Sequence, residues 1–335
     1  MNNKRDFFFD NAKGILIFTV VFGHALKPLM ETSDIATFLY AFVYIFHMPF
    51  FVFISGYFSK KKNNKKLVSL IYTYLLWQMI ICPTILYITT GDFSKSFQTP
   101  INPQWTYWYL LALIVWRFAT PIVNKFLKLN YMLPASILLS IAIGFLNLPW
   151  WVMTAGRIIT FYPFFLIGYI FTKENVEYFK NKFNKIFSLI SLLGTALITW
   201  IAFITYELPL DAVNMRGAYI EYTSNLGLGV LIRLAYYSLA ILCMISISSF
   251  ISNKENFLST FGKNSMLIYL IHGFVIKSLE ANLDYTPLLN NPIIGLIVIA
   301  ILSFIYCYAF SRDIFKNIFK ITLSLPKQIE NNIKA

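Results

Sequence analysis

Charged side chains are scarce in this sequence. Asp, Glu, Lys and Arg make up 13% of the 335 residues, whereas hydrophobic residues make up 58% and the mean hydropathy is +0.63. A soluble domain is about a quarter charged, so this composition excludes an ordinary soluble protein and indicates an integral membrane protein. The first apolar run follows MNNKRD without a small-residue cleavage site, so we expect it to remain as a membrane span.

Cysteine is rarer still, with three residues in the whole chain. Cys82, Cys243 and Cys307 all lie within apolar runs, at spacings that match neither a disulfide framework nor a metal site. They are therefore predicted to be small buried hydrophobic residues, and no metal is expected.

Acidic residues are also few, 15 against 28 Lys and Arg, which gives a formal net charge of +13. Such a charge could suit nucleic acid. However, the basic residues lie between apolar runs rather than along one polar face, which is typical of orientation signals in a membrane protein. We therefore expect contact with membrane lipids and no nucleic-acid partner.

Ten apolar runs approach the length that crosses a bilayer, about 20 residues. They cover residues 13–30, 35–59, 67–89, 106–124, 131–149, 155–172, 186–206, 227–251, 264–282 and 292–311. The sequence thus predicts an all-α integral membrane protein, a bundle of about ten transmembrane helices within residues 1–311. Residues 312–335 alternate basic and apolar side chains and are predicted to lie along the inner membrane surface as an amphipathic tail.

The positions of Lys and Arg predict the orientation of this bundle. With both termini in the cytoplasm, all but six of the 28 fall on the cytoplasmic side, as the positive-inside rule requires. The six exceptions are Lys27, Lys95, Arg157, Arg216, Arg233 and Lys277. The larger outer loops are then 90–105 and 207–226, which mix carboxylates, amides and aromatic residues. They are interpreted either as a binding surface for a polar hydroxylated ligand or as ordinary solvated loops.

Three ionisable side chains in the first run share a helical face. Eleven residues make about three turns, so Lys13 and His24 project from nearly the same face, roughly 16 Å apart, with Asp10 within about 40° of it. Imidazole accepts and returns protons near neutral pH, so His24 is a candidate general base, with Asp10 and Lys13 nearer the cytoplasm. Alternatively, Lys13 is only an orientation charge, and His24 only satisfies a neighbouring helix.

The second run contains FHMPFFVFISGYF, in which Pro49 is predicted to kink the helix and free carbonyl groups beside His47. Kinks are common in membrane helices, so His47 is interpreted as structural. Ser55 and Gly56 are interpreted as close helix packing rather than as catalytic residues.

Arg157, Arg233 and His272 also lie in apolar surroundings. Ionisable groups at bilayer depth normally face a protein interior, a water-filled cavity or a functional partner. We expect Arg233 to pair with a carboxylate from another helix.

Together, DNAKGILIFTVVFGHAL and FHMPFFVFISGYF resemble the acyltransferase-3 superfamily of integral membrane acyltransferases, within it the fucose 4-O-acetylase-like branch. The first span of that family carries a basic residue, ten intervening positions and a histidine, which Lys13 and His24 match. WYLLALIVWR, GRIITFYPFFLIGY and SMLIYLIHGFVI are further points of similarity, so the resemblance runs from Asp10 to about residue 311.

This resemblance implies a multi-pass protein of the bacterial plasma membrane that moves acetyl from acetyl-CoA to a hydroxyl of an envelope or exported polysaccharide. It makes His24 the leading catalytic residue and Lys13 its motif partner. Arg157 would be a cation for a phosphate, a thioester carbonyl or a carboxylate, and His272 would replace or support His24. Many members carry an additional extracytoplasmic domain; none is recognisable here, so we expect the bundle to perform the transfer itself.

An acetyl-CoA donor would require further cationic side chains in the protein. CoA is anionic and made in the cytosol, so Lys60, Lys61 and Lys62 of the KKKNNKK loop, and Arg117, are candidates for binding its phosphates. The alternative interpretation of the lysines is an orientation cluster.

Two other classes of function are open from the residues alone. A transporter or flippase for a lipid-linked sugar would also use about ten spans with intramembrane charges, although the two related halves of many transporters are not recognisable here. An accessory or sensor subunit of a polysaccharide-synthesis complex is the third possibility. An enzyme needs His24 and Arg157 for turnover, whereas a scaffold tolerates their loss.

Overall fold

A computed structural model describes residues 6–61, 63–91, 102–103, 106–147, 153–182, 184–215, 217–318 and 320. All regular secondary structure in this part of the chain is helical. The helices are α1 (Phe7–Ala25), α2 (Asp34–Tyr57), α3 (Asn64–Leu76), α4 (Cys82–Thr90), α5 (Trp108–Phe126), α6 (Leu129–Ile143), α7 (Met153–Ile170), α8 (Lys173–Lys182), α9 (Lys185–Trp200), α10 (Asp211–Asn214), α11 (Leu226–Ser248), α12 (Phe257–Lys263), α13 (Ser265–Asn282), α14 (Thr286–Leu289), α15 (Pro292–Phe310) and α16 (Asp313–Ile318).

Each of the ten predicted apolar runs corresponds to helical structure, which confirms the all-helical prediction. The third run is α3 and α4 joined through a π-helical turn, Trp77–Ile81, and α9 continues through another, Ile201–Thr205. Six helices have both the length and the apolar composition of a membrane span: Asp34–Tyr57, Asn64–Tyr87, Trp108–Phe126, Lys185–Thr205, Leu226–Ser248 and Pro292–Phe310. The apolar helices Leu129–Ile143 and Thr154–Ile170 are shorter.

The first run differs from its predicted bounds. α1 begins six residues early, where Asp6 caps Phe8 N–H at 3.1 Å, and it ends at Ala25 rather than at residue 30. A 3₁₀-helix, Lys27–Glu31, follows, with Pro28 in its first turn. Proline lacks an N–H and disfavours α-helical geometry in the residue before it, so the helix stops there.

The outer helices expose apolar faces, whereas α1 is enclosed. On α9 the side chains of Leu189, Ile190 and Leu193 are all more than half exposed. Along α1, Ala12, Leu16 and Ile17 are at most 1% exposed, because the helix packs against α2, α12, α13 and α15. A broad exposed apolar surface is suited to lipid, which supports a membrane protein with α1 at its centre.

Two helix crossings in the bundle depend on glycine. Gly14 on α1 lies against the carbonyl of Leu258 on α12, and Gly262 on α12 lies against the carbonyl of Asp10 on α1; a Cβ at either position would overlap that oxygen. Small residues let membrane helices approach at backbone contact, so α1 and α12 are locked in one register.

The second crossing joins α2 to α7 in the same reciprocal way. Gly56 on α2 lies against the carbonyl of Phe165, and Gly168 on α7 lies against the carbonyl of Phe53. The FISGY segment therefore serves helix packing at its glycine, while its serine, Ser55, bonds with the Tyr109 hydroxyl at 2.5 Å.

The partners of the Arg233 side chain differ from the predicted carboxylate. Its Nη1 donates to the carbonyl of Ser140 at 2.6 Å and its Nη2 to that of Gly217 at 3.3 Å, while the guanidinium lies 4.6 Å from the ring centroid of Tyr219. The predicted carboxylate partner is therefore wrong: within the described residues, backbone carbonyls and an aromatic face hold this buried cation. Carbonyl oxygens in the last turn of α6 can accept from this guanidinium, because the helix ends at Ile143 and no later helical N–H takes them.

We expect Gly168→Leu to lower the thermal unfolding midpoint of the solubilised protein, because its side chain must displace the α2 backbone. Overpacking of this kind costs about 1–3 kcal/mol or more. Gly194→Ala is the matched control, since nothing lies within 4 Å of a Cβ added at Gly194 and alanine favours a helix. Equal midpoints for the two variants would show that the glycine crossing does not determine stability.

Candidate active site

A cavity of about 200 Å³ lies at the C-terminal end of α1, beside His24. We call it the histidine cavity. Its lining comes from α1, α2, α5, α7, α10 and α13, from the 3₁₀-helix that begins at Lys27, and from Thr106 just before α5. It comprises Val20, His24, Lys27, Tyr40, Tyr44, His47, Met48, Thr106, Trp108, Arg157, Phe161, Val213, Asn214 and Tyr269. Seven helical elements therefore converge on one polar space inside an apolar bundle.

Tyr44 orients His24. The Tyr44 hydroxyl lies 3.2 Å from His24 Nδ1, and the two rings meet edge to face. Tyr44 in turn stacks on Tyr40 at 3.9 Å between ring centroids, and the Tyr40 hydroxyl donates to Asn214 Oδ1 at 3.1 Å. The contact of the Tyr44 hydroxyl with Nδ1 fixes the orientation of the imidazole at the cavity wall.

The two other histidines lie beside His24, on different helices. His272 is fully buried, and its ring centroid is 5.3 Å from that of His24. His47, also buried, has its ring centroid 4.6 Å from that of Tyr44. The structure thus brings all three histidines of the chain close together, although only His24 and His47 line the histidine cavity and His272 packs behind His24. His47, which the sequence predicts to be structural, is therefore part of the site.

Their hydrogen bonds assign the tautomers of these two rings. His47 Nδ1 lies 2.7 Å from the Val43 carbonyl oxygen, and His272 Nδ1 lies 2.5 Å from that of Tyr269. A carbonyl oxygen only accepts, so Nδ1 carries the proton and a neutral ring keeps its lone pair on Nε2. The His47 bond is made to the carbonyl of Val43, two positions before Ile45, whose carbonyl loses its helical N–H partner at Pro49.

Arg157 supplies positive charge to the histidine cavity from the first turns of α7. Its guanidinium carbon lies 5.0 Å from the ring centroid of Trp108. A cation over an indole face is attracted by the ring quadrupole. The contact holds a positive charge at the cavity wall, where it favours negative charge on a bound group.

A second cavity, of about 270 Å³, lies along the middle of α1, from Lys13 to Val20. We call it the cationic cavity, because Lys13 and Arg117 both line it. Lys13 Nζ lies 2.9 Å from Asp10 Oδ1, and Arg117 Nε donates to Ser59 Oγ at 3.0 Å. Two positive side chains from different helices thus face one space of a size that admits part of a small anionic molecule.

The two cavities share three lining residues: Val20, Met48 and Tyr269. Since α1 is continuous, the eleven residues from Lys13 to His24 cover about 16 Å of helix axis. The same helix therefore presents a cation to one cavity and an imidazole to the adjoining one.

The structure leaves other candidate residues outside these cavities. Asp10 lines neither, and its carboxylate instead pairs with Lys13. Lys60 lies 4.3 Å from the ring centroid of Tyr57, and partial burial lowers its pKa. Lys61 is exposed, and Lys62 lies outside the described residues. These lysines follow Phe58, which lines the cationic cavity, but the described pair does not line it.

Several site residues were missed by the sequence analysis. Tyr44 and Tyr40 precede His47 by three and seven positions on α2, a helical spacing that could have revealed them. Asn214 belongs to the segment 207–226, for which a polar ligand was one interpretation; most of the other segment, 90–105, lies outside the described residues. Cys82, Cys243 and Cys307 are buried and free, and the described residues hold no group of three potential metal ligands from His, Cys, Asp and Glu.

Helices suited to lipid and a buried cluster of imidazole, phenol and guanidinium groups define a membrane-embedded enzyme. A family model described as an acyltransferase domain matches residues 6–312, so the chain belongs to the acyltransferase-3 family. It is therefore an O-acyltransferase. The match covers the whole bundle, including both cavities.

Two relatives share most of the length of the chain. Nodulation protein NolL of Sinorhizobium fredii is 25% identical over 305 residues, which cover 82% of this chain and 79% of that protein. Nodulation protein NolL of Mesorhizobium japonicum is 23% identical over 305 residues, covering 83% and 78%. No solved structure matches the chain significantly.

Tyr44→Phe should lower the rate of acyl transfer roughly tenfold, since one hydrogen bond is worth about 0.5–1.5 kcal/mol and only the hydroxyl is removed. The stack on Tyr40 is retained, so the thermal unfolding midpoint should change little. Tyr57→Phe, at the opposite end of α2, is the matched control. An unchanged turnover number in Tyr44→Phe would show that this hydroxyl does not orient His24.

Proposed function

We propose that this protein is a multi-pass O-acetyltransferase of the bacterial plasma membrane, in the fucose 4-O-acetylase-like branch of its family. It takes acetyl from acetyl-CoA and transfers it to a hydroxyl of a cell-envelope or exported polysaccharide. The observation that carries this proposal is the pair of adjoining cavities along α1, one cationic at Lys13 and one containing His24.

The proposed topology has ten spans with both termini in the cytoplasm. The distribution of Lys and Arg and the positions of the ten helical segments support it. In this orientation the cationic cavity opens toward the cytoplasm, where CoA is made, and the histidine cavity lies nearer the outer side. Donor and acceptor would then enter from opposite sides and meet beside His24.

Acetyl-CoA is bound as a co-substrate in the cationic cavity. The Arg117 guanidinium forms bidentate, charge-assisted hydrogen bonds with phosphate oxygens, and Lys13 adds a point charge. Lys60, Lys61 and Lys62, beyond the end of α2, raise the local concentration of the anionic donor by long-range attraction.

His24 acts as the general base of the transfer. With Nδ1–H donated to the Tyr44 oxygen, Nε2 takes the proton of the acceptor hydroxyl as its oxygen forms the ester bond to the acetyl carbon. The carbon–sulfur bond breaks, and the same nitrogen returns the proton to the CoA thiolate. Arg157 stabilises the negative charge that develops on the acetyl oxygen. His272, whose ring centroid is 5.3 Å from that of His24, supports the His24 ring.

The acceptor sugar occupies the outer part of the histidine cavity. Asn214 and Tyr40 offer hydrogen-bonding groups for hydroxyls there, and Trp108 offers an aromatic face. These are the groups that recognise carbohydrate, since each sugar ring presents both hydroxyls and apolar C–H surfaces. A lipid-linked sugar, or a polysaccharide delivered by a synthesis complex, would serve equally as the acceptor.

His24→Ala should abolish acetyl transfer, because no other group then takes the acceptor proton at this position; general-base catalysis alone contributes about 10²–10⁴-fold. The measurement is release of free CoA thiol by purified protein in nanodiscs, with de-O-acetylated envelope glycan as acceptor. Gly194→Ala, which alters neither cavity, is the control for effects of purification and reconstitution. Full turnover in His24→Ala would move the base to His272. No turnover in the unaltered protein would favour a flippase or an accessory subunit.

Arg117→Gln and Lys13→Gln should each raise the KM for acetyl-CoA about tenfold, since a hydrogen bond to a charged group is worth about 1.5–3 kcal/mol. The turnover number should change less, because these residues lie far from the bond that breaks. Lys277→Gln removes an exposed lysine paired with Glu280 at 2.9 Å and should leave the KM unchanged. If all three variants kept the KM of the unaltered protein, acetyl-CoA would bind outside the cationic cavity.

A further inference from the structure

The cationic cavity and the histidine cavity adjoin at three side chains that line both. Val20 on α1, Met48 on α2 and Tyr269 on α13 each line both, and together we call them the dividing wall. We propose that the acyl group reaches His24 through this wall, and that the width of the opening selects narrow, unbranched acyl groups such as acetyl. The inference rests on the proposed function, because it requires the donor to lie in the cationic cavity.

The wall is formed at the level of the histidines. Val20 lies one helical turn before His24, Met48 directly follows His47, and Tyr269 lies three residues before His272. A group that passes between these three side chains therefore emerges beside the imidazole cluster. Val20 also lies on the face of α1 that Lys13 and His24 share, between the two cavities' charged groups.

Two members of the wall are rigid. Val20 is 3% exposed and β-branched, so it has little rotamer freedom in a helix. The Tyr269 hydroxyl donates to the carbonyl of Thr106, and its ring packs edge to face on Tyr109 at 5.8 Å. These contacts hold both side chains in place while a group passes.

Met48 is the movable member. It is unbranched, has three rotatable side-chain bonds and is only partly buried, so it can change rotamer without breaking a polar contact. The opening therefore has two fixed sides and one flexible side. Its width, rather than its length, limits what enters, because the acyl group leads and the CoA arm follows in line.

The chemistry of the donor makes width the decisive property. A linear acyl chain has the cross-section of one methylene along its length, so acetyl and butyryl need a similar opening. A branched acyl group such as isobutyryl needs a wider one. One additional methylene in a closely fitting apolar site changes specificity about 10–200-fold, so this discrimination is large enough to measure.

The test compares kcat/KM for acetyl-CoA, butyryl-CoA and isobutyryl-CoA in the unaltered protein and in Met48→Ala, by thiol release in nanodiscs. Removing the flexible side should raise the isobutyryl-to-acetyl ratio about tenfold. The butyryl-to-acetyl ratio should change much less. Val20→Ala, on a different helix, is the second variant and should shift the isobutyryl ratio in the same direction.

Met266→Ala is the matched control. Met266 lines the cationic cavity but not the histidine cavity. Truncating its side chain therefore enlarges the space for the donor without widening the opening in the dividing wall. Its isobutyryl-to-acetyl ratio should equal that of the unaltered protein, whatever its absolute rate.

An unchanged isobutyryl ratio in folded Met48→Ala and Val20→Ala, with normal acetyl turnover, would overturn the role of the wall and leave the proposed function standing. A ratio that rises equally in Met266→Ala would also overturn it, because cavity size alone would then explain the selectivity. No turnover of any donor by the unaltered protein would instead overturn the proposed function. Thermal unfolding midpoints identify a variant that fails to fold, and the remaining wall variant then decides.

Discussion

The positions of the site residues depend on two pairs of helices that cross in backbone contact at glycine. Gly14 and Gly262 bring α1 against α12, and α13 follows α12 after a single residue. Gly56 and Gly168 bring α2 against α7. Van der Waals packing at small residues is a main attraction between helices in lipid, where the surrounding chains are as apolar as leucine. These crossings thus determine which polar side chains meet inside the bundle.

The polar interior follows from this arrangement. The crossing of α1 with α12 brings His272 beside His24, and the crossing of α2 with α7 brings Tyr44 and Arg157 to the same cavity. Polar groups at this depth are costly unless they have partners, and here they bond to one another and to backbone carbonyls. The bundle thereby encloses the His24 imidazole and the Arg157 guanidinium in one cavity.

The helices, and the residues that share a face of one helix, could be predicted from the sequence. The contacts between helices could not. The apolar runs predicted ten helical segments, and the interval from Lys13 to His24 placed both on one face of α1 because the helical period is known. Arg233 shows the limit: an apolar context implied a buried partner, yet its partners are the carbonyls of Ser140 and Gly217. Backbone carbonyls occur at every residue, so no sequence pattern marks the ones that become available.

The sequence by itself determined that the chain is helical, that it suits a membrane, and that ionisable side chains lie at intervals along its first helix, since composition and period are local properties. Only the tertiary structure decided that Tyr44 contacts His24, that Arg117 faces the same cavity as Lys13, and that Met48 lies between two cavities. These residues are far apart along the chain and have ordinary apolar neighbours. Their meeting depends on helix register, which packing at a few small residues selects in three dimensions.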